Sequence, residues 1–367
     1  MTESVSPLYF RAVACPACGS KGNQADFKSG MYVEEEREAD QHVIRYRWLR
    51  PDVTPVHPPY YALAHCAECA FTDFREHFFE PARSRENRVG LIAPRLKAEV
   101  ARRGSLISIL RPHGTPATMD FGGALRLHLL AIAVQELLPD DRRDHLKIAR
   151  LYLRAAWLFR EQGETAQPTS VESEELAALD GFAARYRDLR AAADRLATAY
   201  AGRPPASQVA VALKQVESLG QGYADLRARL LSQGNGSSPL DFLTLARGEW
   251  PEIPTGEAGC LETSVRAFEQ AYQRGDGESL ALLKLMIELN YRLGQFDRVL
   301  EYVASVSKTG HEERTKLQRQ LADRSLSPEE RTRLNTRINR IGATLQLASE
   351  IRQEALARRT PSSASAK

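Results

Sequence analysis

The stretch "CPACGSKGN" at residues 15–23 holds two cysteines separated by two residues, and "HCAECAF" at 65–71 holds a second pair with the same spacing. A Cys-x-x-Cys turn directs two sulfurs toward one point. Pro16 makes the first turn rigid and Gly19 is free to adopt a positive φ, whereas Ala70 stands where a glycine would relieve strain in the second turn. Together the two pairs predict one four-sulfur site that organises the N-terminal fold.

The ligand type indicates a metal site. Zinc in structural sites takes four thiolates in a tetrahedron, and cysteines in a reducing compartment stay out of disulfides. The long insert between the pairs does not exclude a shared site, because the cost of closing a loop grows only with the logarithm of its length. Redox-active or unliganded cysteines are the alternative, although the βαβ context of a thioredoxin-like site is missing. We predict one structural Zn²⁺ per chain, bound by Cys15, Cys18, Cys66 and Cys69.

Other candidate ligands are weaker. His65 precedes Cys66 and His77 follows in "DFREHFF", but four cysteines already complete the coordination shell. Both histidines are therefore expected to be surface or packing residues. Cys260 has no histidine or second cysteine near it in the sequence and is expected to be structural or incidental. Because a closed cysteine shell leaves no open coordination position, the zinc is expected to be structural and not catalytic.

The segment between the cysteine pairs has strand and loop character. Residues 42–49, "HVIRYRWL", alternate polar and apolar side chains and predict a strand. Four prolines in 50–61 exclude a continuous helix or central strand and predict an extended loop that returns the chain to the second pair. The acidic run at 34–38 is expected to be a solvated strand or loop edge. A small β-rich module therefore surrounds the predicted zinc site.

The remainder of the chain has helical periodicity. Apolar residues recur at helical spacing in 122–138 and 143–163, and further helical segments between 261 and 306 follow one another with very short turns. Pro94 is expected to interrupt an earlier helix. The predicted organisation is a zinc-ribbon-like module at 1–82, a helical domain at 83–233, a second helical segment at 240–358 and a disordered tail at 359–367.

The last helix has a clear start signal. Ser327 is expected to be its N-cap, with Pro328 in the first turn and Glu330 closing a capping box. The apolar residues of this helix follow a roughly heptad-like spacing, which suits packing on its own domain or pairing between two chains. The homo-oligomeric state therefore stays open. The seam consists of Leu334, Ile338, Ile341, Leu345, Ala348 and Ile351.

Several motifs together resemble a family of uncharacterised bacterial proteins. They are "CPACG", "PPYYALAHCAECAFTDFREHF", "LRLHLLAIAVQ" and "ARLYLRAAWLFREQGE", within residues 12–163. The resemblance implies zinc binding and a body of tetratricopeptide-type helices, and it implies no reaction. Ala70 departs from the glycine that the family pattern tends to have, but it leaves the ligands intact. The most specific part is the cluster of Tyr60, Tyr61, Cys66, Cys69, Phe71 and Phe74.

The second half also contains a degenerate repeat pattern, with Gly294 and Phe296 at the turn between two helices. Ala, Leu and Arg are prominent and only 7% of the residues are aromatic, which favours helix over sheet. We therefore predict a mainly α protein, with a small β-rich zinc-ribbon-like N-terminal module and an irregular, tetratricopeptide-like helical body.

The function is expected to be binding and not catalysis. The formal charge of +3 does not by itself indicate nucleic acid or an anionic membrane, and no catalytic motif can be assembled. The leading hypothesis is a cytoplasmic, noncatalytic scaffold or adaptor that recognises a protein partner through its helical surface. The alternative is nucleic-acid binding by basic and aromatic side chains near the zinc module. Those side chains are Arg45, Arg47, Trp48 and Arg50.

Overall fold

A computed structural model describes residues 5–81, 88–102, 104–112, 119–163, 241–276, 279–323 and 325–359, with single helical residues between 188 and 218. The chain divides into two compact units. The first comprises Met1–Met31, Arg50–Arg143 and Arg154–Glu257, and the second comprises Tyr32–Leu49, Asp144–Leu153 and Ala258–Lys367. The predicted domain boundaries stay predictions, because those near 82 and between 233 and 240 lie outside the described residues. Residues 360–367 of the predicted tail also lie outside them.

Two antiparallel hairpins in the first unit carry the cysteine pairs. Strands β1 (Leu8–Ala14) and β2 (Lys21–Phe27) form one hairpin, and β5 (Leu63–His65) and β6 (Thr72–Phe74) form the other. Each hairpin places its Cys-x-x-Cys sequence in the turn. Short two-stranded hairpins are marginally stable in water on their own, so these two hairpins need contacts beyond their own strand pairing.

A third hairpin, β3 (Tyr32–Arg37) and β4 (Val43–Trp48), belongs to the second unit. It confirms the strand predicted at 42–49 and places the acidic run on its exposed partner strand. Tyr32 contacts Tyr46 and Trp48, with ring centroids 5.6 and 5.5 Å apart. The apolar face of β4 is thus held by aromatic contacts within the hairpin itself.

The turn of this third hairpin binds a helix of the second unit. Arg292 donates to Glu38 at 2.9 Å and lies 4.0 Å from Asp40, which is only 2% exposed. His42 contacts the same Glu38 carboxylate at 2.9 Å. The β3–β4 hairpin is therefore anchored by charge to a C-terminal helix of the same unit.

Helices make up most of the described chain, as predicted. In chain order the first six are α1 (Arg75–Phe79), α2 (Val89–Ala101), α3 (Leu106–Leu110), α4 (Phe121–Glu136), α5 (His145–Gln162) and α6 (Asp241–Arg247). Helix α4 is buried on nearly every side, with Leu125, Leu129 and Ile132 fully buried. Asp120 caps it by accepting from the Gly123 amide at 2.7 Å. This helix forms the core of the first unit.

The expectation that Pro94 interrupts its helix is wrong. Helix α2 continues through Pro94, which lies on the exposed side. The hydrogen bond that proline cannot make would go to the carbonyl of Gly90, which is also exposed, so water can satisfy that carbonyl. The missing bond is therefore tolerated without a break.

The second unit is built from long helices joined by short turns. These are α7 (Glu257–Gln273), α8 (Ser279–Arg292), α9 (Phe296–Leu321) and α10 (Pro328–Arg358). Helix α8 packs on α9 and α9 packs on α10, and the short connections make these neighbours antiparallel. Within the described ranges, no helix has both the length and the apolar character needed to cross a membrane. The mainly α fold with small N-terminal hairpins is confirmed, whereas the tetratricopeptide-like repeat stays a prediction.

The heptad-like seam of α10 packs on α9 of the same chain. Ile341 and Ala348 are buried there, and Gly310 on α9 allows Leu345 to approach closely, because a Cβ at Gly310 would lie 2.8 Å from Leu345 Cδ2.

The predicted capping box is present at the start of α10, where the Glu330 amide donates to Ser327 Oγ at 3.2 Å and the Ser327 amide donates to Glu330 Oε2 at 2.8 Å.

Candidate metal centre

The two Cys-x-x-Cys turns have the same backbone hydrogen bonds. In the first, the Cys15 amide donates to the Ser20 carbonyl at 2.8 Å and the Gly19 amide donates to the Cys15 carbonyl at 2.8 Å. Gly19 has φ of 76°, a left-handed conformation that glycine adopts at no steric cost. The turn therefore closes tightly and leaves both sulfurs on one side.

The second turn repeats this pattern with a different residue. The Cys66 amide donates to the Phe71 carbonyl at 2.9 Å and the Ala70 amide donates to the Cys66 carbonyl at 2.8 Å. Ala70 has φ of 62°, which is costly for a residue with a Cβ. The strain predicted at this position is therefore present, and the surrounding structure holds Ala70 in it.

The four sulfurs meet at one point. The Sγ atoms of Cys15 and Cys69 lie 3.6 Å apart, as do those of Cys18 and Cys66, and all four lie within 4.8 Å of one another. A tetrahedral ion with metal–sulfur bonds of about 2.3 Å requires sulfur–sulfur edges of about 3.8 Å. Across the described ranges, this is the one group of three or more potential ligands close enough to hold an ion. The donor set and its spacing fit a tetrahedral metal.

The thiols influence one another strongly. Hydrogen bonds from Cys15 and Cys69 lower the pKa of Cys66 far below its usual value. The same interactions, with burial, raise the pKa of Cys69, and the contact with Cys66 raises that of Cys15 to about 12. The opposite directions of these shifts mean that the neighbouring thiols hinder one another's ionisation when no cation lies between them. A bound cation would stabilise all four thiolates at once.

Polar groups close to the sulfurs support the site. The hydroxyl of Ser20 lies 2.9 Å from Cys18 Sγ and 3.2 Å from Cys66 Sγ, and the Ala17 amide donates to Cys15 Sγ at 3.4 Å. Such hydrogen bonds orient metal ligands and stabilise their charge. Ser20 bridges one sulfur from each turn.

Gln24 joins the two hairpins, although no sequence motif predicts this role. Its amide Nε2 donates to the His65 carbonyl at 2.7 Å, and its Oε1 accepts from the His65 amide at 3.1 Å. Gln24 is 7% exposed, so both bonds are made away from water. The Gln24 side chain on β2 thereby pairs with the backbone of β5 as a neighbouring strand would. This pairing fixes the position of Cys66 relative to the first turn.

Replacing Gln24 by leucine should weaken the centre. The change leaves the buried amide and carbonyl of His65 without partners, which costs about 2 kcal/mol of stability. We expect looser zinc binding, measured by competition with a chromophoric chelator. The control is Gln41→Leu, a glutamine exposed in the β3–β4 turn, which should bind zinc as the unchanged protein does. Equal zinc affinity in both variants would contradict the bridging role.

The rival ligands lie outside the cluster. His65 is buried, its Nδ1 lies 2.9 Å from Thr72 Oγ1, and burial lowers its pKa to about 4. His77 Nδ1 lies 3.6 Å from a carboxylate oxygen of Asp73. Cys260 is fully buried in α7. None of the three belongs to the metal-binding group of described residues.

The residues predicted for nucleic-acid contact are all resolved. Arg45 pairs with Glu36 and Arg47 with Glu35 across the β3–β4 hairpin. Arg50 contacts Asp52 at 2.6 Å; it belongs to the first unit, whereas the other predicted contacts belong to the second. Trp48 is half-buried. Carboxylates therefore offset the positive charge that a phosphate would meet, and nucleic-acid contact here stays a prediction.

Comparison with known proteins places the chain in a family. No curated protein and no solved structure matches it. The sequence profile of a bacterial family matches residues 8–200, more than half of the chain, and this range contains all four clustered cysteines. The resemblance read from the motifs is thereby confirmed, and the chain belongs to the family described as uncharacterised proteins conserved in bacteria (DUF2225).

Proposed function

We propose that this protein is a noncatalytic zinc-binding scaffold that recognises a protein partner through its C-terminal helices. The observation that carries the proposal is the convergence of four cysteine sulfurs within 4.8 Å. Four thiolates fill a tetrahedral shell and leave no position for a substrate or an activated water. The metal therefore serves to hold the two hairpins together.

The chemistry of the donors favours zinc. Soft thiolates arranged as a tetrahedron suit zinc or iron–sulfur centres and disfavour magnesium and calcium. Elemental analysis of the purified full-length chain is expected to give one zinc per chain in a colourless protein. A coloured protein containing iron, or a chain without metal, would overturn this part of the proposal.

The end of the helical hairpin α9–α10 is the surface proposed for the partner. Beyond Gly310, α9 is exposed at most positions, and Leu317 is buried. Exposed basic side chains lie on this part of both helices, and within the described ranges no carboxylate pairs with them. Basic side chains without a paired carboxylate favour a partner with an acidic surface. These side chains are Arg314, Lys316, Arg319, Arg333 and Arg340.

A charge-reversal pair tests the partner surface. The full chain is used to capture partners after cross-linking in cells and nuclease treatment. We expect a protein to be recovered by the unchanged chain and lost with Arg333→Glu/Arg340→Glu. The control is Arg95→Glu/Lys97→Glu on α2, which makes the same change in net charge at exposed positions. Recovery of nucleic acid alone, or equal recovery by both double variants, would refute the proposed surface.

A further inference from the structure

Cys18 differs from the other three sulfurs in its access to solvent. Cys15 is 3% exposed and Cys66 is 5% exposed, and Cys69 is half-buried, whereas Cys18 is exposed. Reaction of a cysteine with a dissolved oxidant requires a thiolate that the oxidant can reach. Cys18 is therefore the sulfur of the centre at which such a reaction begins.

A second sulfur lies in position to complete the reaction. Cys66 Sγ lies 3.6 Å from Cys18 Sγ, and the Ser20 hydroxyl contacts both, at 3.2 and 2.9 Å. The other close pair, Cys15 and Cys69, is also 3.6 Å apart but includes no exposed sulfur. Geometry and exposure together select Cys18 and Cys66.

We propose that Cys18 is an oxidation site, at which hydrogen peroxide converts the centre to a Cys18–Cys66 disulfide and releases the metal. The inference rests on the proposed zinc binding and adds a regulation of the same site. Removing two of four ligands leaves only Cys15 and Cys69, which is too few to retain a structural zinc ion. Metal retention by the two hairpins would then depend on peroxide.

The reaction balances with peroxide as the oxidant. The Cys18 thiolate attacks one peroxide oxygen, the O–O bond breaks, and a sulfenic acid and a hydroxide ion form. The Cys66 thiolate then attacks the Cys18 sulfur, forming the S–S bond and expelling a second hydroxide. The two sulfurs lose two electrons, which peroxide gains, and two protons convert the hydroxides to water. Cys15 and Cys69 each take up a proton as the metal leaves.

The test uses the zinc-loaded full-length protein. Peroxide is added in steps, released zinc is followed with a chromophoric chelator, and the remaining thiols are alkylated. Trypsin gives peptides 12–21 and 48–75, which contain the two cysteine pairs, and fragmentation of the linked product identifies the joined sulfurs. We expect loss of one zinc per chain in step with one Cys18–Cys66 disulfide. Cys260, which is fully buried, serves as an internal control and should remain a thiol.

Two results would overturn the proposal. One is retention of zinc at a peroxide dose that oxidises the cysteines of the unfolded chain. The other is release of zinc with a disulfide that does not include Cys18. Zinc content measured before peroxide is added separates this proposal from the proposed function. A chain without zinc refutes both, whereas a zinc-loaded chain that resists peroxide refutes only the oxidation site.

Discussion

Replacing Cys66 by serine is expected to reduce the zinc content from one ion per chain to none and to unfold both cysteine hairpins. Cys66 is 5% exposed, and its Sγ lies 3.6 Å from Cys18 Sγ and 3.2 Å from the Ser20 hydroxyl. A serine hydroxyl is a much poorer ligand than a thiolate at neutral pH. Structural zinc binding contributes about 10–16 kcal/mol to folding in small zinc domains, so the loss far exceeds what short hairpins can offset.

The damage should be local to the zinc module. The helices have buried cores of their own, in which Leu129 of α4 and Leu283 of α8 are fully buried. We therefore expect helical circular dichroism to persist while hydrogen exchange becomes fast in β1–β2 and β5–β6. The measurement combines elemental analysis with hydrogen exchange read by mass spectrometry.

Cys260→Ala is the matched control for this experiment. It removes a cysteine that is buried in α7 and lies outside the sulfur cluster, so the variant should keep one zinc per chain. If Cys66→Ser also kept its zinc and its protected hairpins, the four-cysteine centre would not be what holds this module together.

The sequence predicted the ligands because their information is local. Each turn is encoded by two cysteines and by the residue that must adopt a positive φ, Gly19 or Ala70. The bridge from Gln24 to His65 could not be predicted in this way, since it joins residues 41 positions apart and follows no motif. Which side chains satisfy a buried backbone depends on how separate hairpins pack.

The same limit applies to the third hairpin and to α2. Strand β4 was predicted from its alternation, but its membership of the second unit depends on charged contacts with Arg292, which is distant in sequence. Helix α2 was expected to break at Pro94, because the rule for proline does not include whether the affected carbonyl is exposed. Local pattern thus predicts the type of element, whereas burial and long-range contacts decide its position and continuity.

Lowering the pH should destabilise the first unit through His128 on α4. Burial lowers the pKa of His128 to about 4, with a smaller contribution from the charge of Arg154. Its Nδ1 donates to the Ala124 carbonyl at 2.8 Å, and among described residues Nε2 has no hydrogen-bond partner. The folded protein therefore holds this imidazole neutral, whereas the unfolded chain protonates it near pH 6.5.

The sign follows from proton binding. Between pH 6.5 and about 4 the unfolded state binds more protons than the folded state, so the free energy of unfolding falls as the pH falls. The loss caused by His128 is absent only above about pH 6.5. At 1.36 kcal/mol per pH unit, His128 reduces the free energy of unfolding by about 2 kcal/mol at pH 5 and by about 3 kcal/mol at pH 4. A metal bound by the four cysteines would add an acid response of its own, because its ligands must stay deprotonated.

Comparison with His128→Leu isolates the contribution of the histidine, since both proteins share the acid response of the zinc centre. Leucine is similar in size to histidine and needs no polar partner at this buried position, and the helical carbonyl of Ala124 keeps its backbone partner. We expect the two proteins to differ by less than about 1 kcal/mol at pH 7 and the variant to be more stable by about 2 kcal/mol at pH 5. Urea unfolding at each pH measures the difference. Parallel stability curves for the two proteins from pH 7 to pH 5 would show that His128 is not held neutral by its burial in α4.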